Sequence, residues 1–70
     1  MENKQEICNA LCKTLQLTRN QSDLESLTYT RRGEGLEYVI ATYSYGTEKI
    51  INVTWDPGIV MIRDILKRLS

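Results

Sequence analysis

Cys8 with Cys12, the tripeptide Gly33-Glu34-Gly35 and the run Asp56-Pro57-Gly58 are where residue type and spacing in this chain could support chemistry. The two cysteines are four residues apart, so a helix would present them on successive turns of one face, as two potential ligands for a metal ion. A structural zinc site needs about four ligands. The chain contains no histidine, so a second copy would have to donate the rest. The thiols therefore read as small buried groups. They also read as reduced, because parallel Cβ directions one turn apart hold the sulfurs beyond relaxed disulfide reach. Of the two, Cys8 lies nearer the apolar stripe and is expected to be the less accessible.

The absence of histidine also removes the commonest general base and the usual nucleophilic triads. The carboxylates are scattered, and no pair has a spacing that forces convergence on one helix or strand face. Gly33-Glu34-Gly35 lacks the glycine-lysine-hydroxyl ending of a phosphate cradle and joins two strands, which makes it a hairpin turn. Asp56 precedes proline and a strong apolar period, so its expected task is to cap the last helix, with Pro57 as the first helical residue. The sequence thus assigns no catalytic residue, no metal ligand and no cofactor, and the expectation is a protein that is not an enzyme.

The elements that must carry these residues follow from periodicity. From about Asn3 to Leu17, Ile7, Leu11 and Leu15 recur every four residues among polar neighbours, which predicts an amphipathic helix. Residues 25–31 alternate Leu27 and Tyr29 with serine and threonines. Residues 36–45 and 48–55 are rich in β-branched and aromatic types, so all three stretches read as strands. Short connections make them an antiparallel meander. In the third strand Ile51, Val53 and Trp55 share the face expected to meet the core. The second strand is apolar on both faces, Leu36, Tyr38 and Ile40 on one and Val39, Ala41 and Tyr43 on the other. In the last helix Ile59, Ile62, Ile65, Leu66 and Leu69 form the expected stripe.

The predicted fold is α+β, a three-stranded antiparallel meander with both helices on one face in the order α-β-β-β-α. Its expected core is Ile7, Leu11, Leu15, Leu27, Ile51, Val53, Ile62 and Leu66. Seventy residues allow one such domain, spanning 1–70, and a core of that size supplies roughly 3–5 kcal/mol. Nine basic residues balance nine acidic ones, which argues against nucleic acid as a partner, since affinity for phosphate is mainly electrostatic. No apolar run is long enough to span a bilayer, and the N-terminus lacks a signal-peptide core. The expectation is a cytoplasmic protein without membrane contact.

Two surface features remain. Four tyrosines in a chain without phenylalanine fit a surface that buries rings and leaves hydroxyls wet. Two helices cover only one face of a three-stranded sheet, so Tyr38, Tyr43, Tyr45 and Ile50 are the expected contact residues for a homodimer or another protein. Arg19, Arg31 and Arg32 are the only basic cluster outside the last helix, and they define the alternative, a nucleic-acid-binding surface.

Two resemblances bear on these readings. The order helix, three strands, helix is similar to that of double-stranded RNA-binding domains. Activity in that family looks to depend on lysines where the last helix begins and on a basic or histidine-bearing hairpin. Here that helix begins Asp56-Pro57-Gly58-Ile59-Val60, and Arg31-Arg32 stand near Glu34, so the likeness extends to topology and not to RNA binding. The tail NVTWDPGIVMIRDILKRL, after a tyrosine-rich hairpin, resembles uncharacterised small proteins of bacterial phages and other mobile elements. That likeness implies a small interaction or regulatory module that acts by binding protein.

Overall fold

The computed structural model describes residues 2–70. Helix α1 runs Lys4–Gln16, strands β1, β2 and β3 run Leu24–Arg32, Leu36–Tyr43 and Glu48–Asn52, and helix α2 runs Gly58–Leu69. The strands form one antiparallel sheet in the order β1-β2-β3. One buried cluster joins Cys8, Cys12 and Leu15 of α1, Met61, Ile65 and Leu69 of α2, and Leu27, Val39, Ala41, Tyr43 and Ile51 of the sheet. Those sheet residues share one parity, so both helices lie on one face, and the even-numbered strand residues from Ser26 onward occupy the other; Leu24, before the irregularity between Leu24 and Ser26, also joins the core.

Helix α1 begins where Asn3 accepts the Glu6 N–H at 3.0 Å, the N-cap geometry that satisfies an orphan donor. Its inward stripe is centred on Cys8, Cys12 and Leu15, while Ile7 and Leu11 pack partly buried at its rim. The stripe is rotated from the expected one because the thiols are small enough to bring the helix close to β1. Both are free and buried. Burial, and after it the neighbouring Cys12, pushes the Cys8 thiol up to about 11. It is a protonated packing group at neutral pH.

Helix α2 departs further from expectation. Its inward face is Gly58, Met61, Ile65 and Leu69. Ile59 is 74% exposed and Leu66 is also exposed, whereas the periodicity placed both on the buried stripe, and Leu66 and Ile62 in the core. Gly58 sets the rotation. A Cβ there would stand 2.6 Å from Glu2 Oε2 and 2.9 Å from Ile7 Cδ1, so any larger residue would displace the ends of those two side chains from the start of α2. The Gly58 N–H donates to Glu2 Oε1 at 2.8 Å, placing a carboxylate at the positive end of the helix.

Asp56 does not cap that helix, which is a second correction. Pro57 is the N-cap, and no side chain bonds the first turn from that position. The third strand also stops early, at Asn52. Asn52 Oδ1 accepts the Thr54 N–H at 2.9 Å, and this Asx turn bends the chain out of the sheet. Trp55, expected in the core, is 83% exposed. It adopts a left-handed conformation with φ 67°, which costs roughly 1–3 kcal/mol for a residue with a side chain. Its N–H donation to Glu37 Oε2 at 3.2 Å helps hold that conformation.

Candidate functional site

The face of the sheet turned away from the helices is built by strand alternation alone. Pairing aligns Thr30, Tyr38 and Asn52 in one row and Thr28, Ile40 and Ile50 in the next. Leu36, beside Arg32, extends the apolar strip towards the first hairpin. The centre of this face is a shallow depression of about 320 Å³ lined by Thr30, Arg32, Leu36, Tyr38, Ile40 and Ile50. Ile50 is 59% exposed and Leu36 is exposed as well. Large apolar groups that share one wet face are the kind of patch that marks an association surface.

Of the four expected contact residues, Tyr38 and Ile50 lie on this face. Tyr43 does not. It is 4% exposed, points into the core, and donates from its hydroxyl to Gln21 Oε1 at 2.6 Å. The Gln21 amide in turn donates to the Leu69 carbonyl at 2.8 Å, so this tyrosine fastens the sheet to the end of α2. Tyr45 follows Tyr43 into the β2–β3 turn and stacks on its ring at 5.4 Å between centroids. Leu36 and Ile40 belong to the face instead. They share the parity of Tyr38, which is the signal that identifies them once the pairing of Val39 with Ile51 fixes which side of β2 meets the core.

The three arginines do not form one surface. Arg19 lies in the α1–β1 loop, in a cleft with Leu66 and Leu69, whereas Arg31 and Arg32 end β1 at the opposite edge of the molecule. Arg31 and Arg32 also fall on opposite faces of the strand.

Two clusters contain groups with catalytic potential. Glu37 Oε1 accepts from Lys4 Nζ and from the Tyr29 hydroxyl, each at 2.6 Å. The Lys4 and Tyr29 hydrogen bonds hold the Glu37 carboxyl down at about 2, so it stays ionised and cannot exchange a proton near neutral pH. The cluster ties α1 to the sheet. The second cluster, Asp56 with Asp64, is invisible in the spacing because it closes across the turn into α2. Burial, and then hydrogen bonding with Asp64, raises the Asp56 carboxyl. The hydrogen bond from Asp56 lowers Asp64. Asp56 Oδ2 is buried with no partner. No group of three or more potential metal ligands occurs among the described residues.

This pair yields a prediction with a definite sign. A raised folded-state pKa contributes stability that is complete below the unfolded value and lost as pH rises through the folded one. Asp56→Asn should therefore unfold with a flatter pH dependence and be the more stable of the two proteins at pH 7. A capping aspartate would give no such gain, because asparagine caps about as well and only the favourable charge at the helix N-terminus is lost. Thermal denaturation of both proteins from pH 4 to pH 8 separates the two outcomes.

No helix among the described residues is long and apolar enough to cross a membrane. No protein-family model, curated protein or solved structure significantly matches the chain.

Proposed function

We propose that this chain is a small, non-enzymatic protein-interaction module that self-associates through the open face of its sheet. The observation that supports this reading most is the apolar strip of Leu36, Tyr38, Ile40 and Ile50 on the side that no helix covers. A second copy is favoured by the charges at its corners. Arg32 stands beside Leu36 on β1, and Glu48 stands beside Thr42 on β3, so opposite charges end one diagonal of the same face. A two-fold axis between stacked sheets, bisecting that diagonal, brings each Arg32 to the other copy's Glu48 and lays apolar centre on apolar centre.

Sedimentation equilibrium at high micromolar concentration should report a dimer. Tyr38→Glu, which puts a charge at the centre of the strip, should weaken association by roughly a hundredfold, with the far-ultraviolet circular dichroism of the folded chain retained. A wild-type protein that remains monomeric at those concentrations would remove this reading.

A further inference from the structure

The sheet has two edges, and the chain treats them differently. Along the outer edge of β1 the odd-numbered residues point their backbone groups away from β2, and side chains of α1 satisfy the middle of that edge at Leu27 and Tyr29. The Gln5 amide donates to the Leu27 carbonyl at 3.1 Å and accepts the Tyr29 N–H at 2.8 Å, so one side chain stands in for a neighbouring strand. Beyond the irregularity between Leu24 and Ser26, Gln16 donates to the Leu24 carbonyl at 2.7 Å.

The β3 edge has no such cover. Tyr43 donates to Thr47 and Val53 donates to Glu37 across the second hairpin, which fixes the parity of the ladder. The odd residues of β3 therefore bond β2, while Glu48, Ile50 and Asn52 direct their N–H and C=O groups outward. None of these backbone groups has a hydrogen-bond partner among the described residues. The edge opens onto a groove of about 350 Å³ between β3 and α2, lined by Ile50, Ile51, Asn52, Asp64, Lys67 and Arg68. Neither Lys67 nor Arg68 has a carboxylate partner among the described residues, while Asp64 is paired with Arg63. Lys49, on the same side of the strand, sits over the Tyr43 ring at 5.6 Å and does not cross the edge.

We propose that β3 is an acceptor edge that takes an extended acidic peptide as a fourth strand. The backbone of Glu48, Ile50 and Asn52 supplies the ladder. Strand alternation then sorts the guest's side chains. One set faces Lys67 and Arg68 and is acidic, and the other lies beside Ile50 on the open face and is β-branched. This edge borders the face proposed for self-association and shares Ile50 with it, whereas Tyr38 lies in the central strand and touches no edge, so Tyr38→Glu tests the face alone.

The test uses the whole chain and a fluorescent peptide of alternating valine and glutamate, with binding read by anisotropy at low salt. Saturable binding is expected, with hydrogen exchange slowed roughly tenfold at the Glu48, Ile50 and Asn52 amides and unchanged at Leu27 and Tyr29. Replacing glutamate by lysine in the peptide, or N-methylating its ladder-forming residues, should each weaken binding roughly tenfold or more. The double variant Lys67→Ala, Arg68→Ala should do so as well while leaving the circular dichroism unchanged. Absence of binding at millimolar peptide would overturn the proposal. So would affinity indifferent to N-methylation, or protection that appears on β1 instead.

Discussion

Ile65→Ala should bring the chain close to its unfolding midpoint at 25 °C, whereas Leu66→Ala, one residue along the same helix, should cost less than about 1 kcal/mol. Ile65 is fully buried between Met61 and Leu69, in contact with the sheet core. Cutting an isoleucine to alanine at such a place costs about 2–5 kcal/mol, through lost transfer free energy and the cavity left behind. A domain of this size has roughly 3–5 kcal/mol in reserve, so the loss consumes most of it. Leu66 faces solvent, and its side chain gives up little on truncation. Urea denaturation of the two variants, followed by circular dichroism, measures the rotation of α2 directly. Equal losses would mean that both residues are buried and that the helix sits as its periodicity alone predicts.

Glu37→Gln should cost about 2 kcal/mol at pH 7, within the range for hydrogen bonds to charged groups. One carboxylate serves three elements here. It meets Lys4 from α1 at 2.6 Å, the Tyr29 hydroxyl from β1 at 2.6 Å and the Trp55 N–H from the turn before α2 at 3.2 Å. Glutamine keeps the shape, but its amide nitrogen cannot accept, and Lys4 loses its counter-charge in a setting largely shielded from water. The pH dependence supplies an independent check. Because the folded-state value is depressed to about 2, the contribution of Glu37 is complete above the unfolded carboxylate range. It is lost as pH falls through that range towards about 2. The gap in stability between wild type and Glu37→Gln should therefore narrow on acidification between about pH 4.5 and pH 2. A gap that stays constant would show that charge on Glu37 contributes nothing.

The topology was legible in the sequence because it rests on patterns that act locally: a four-residue apolar period, two β-branched runs split by Gly46, and a polar break after Leu17. The helix rotations were harder to read. Cys8 and Cys12 are small, Gly58 has no side chain at all, and none of them adds much to an apolar stripe, yet these are the residues that let the backbones approach. The partners that fix the helix ends come from far along the chain, Glu2 to Gly58 and Lys4 to Glu37, and no periodicity records such a meeting. On the open face, Tyr38 and Ile50 could be found by residue type. Tyr43 misled for the same reason, since a tyrosine with a buried partner for its hydroxyl is as good a core residue as a surface one. The unequal treatment of the two sheet edges depends on where Gln5 reaches, which only three-dimensional packing decides.

The Gln5 amide on β1 also limits how large any strand-mediated assembly of this protein can become. A molecule with two bare borders can hand one to each neighbour and so polymerise into a fibre. Here a chain approaching head to tail finds the middle of the border it needs already occupied at Leu27 and Tyr29, which disfavours growth beyond a single addition.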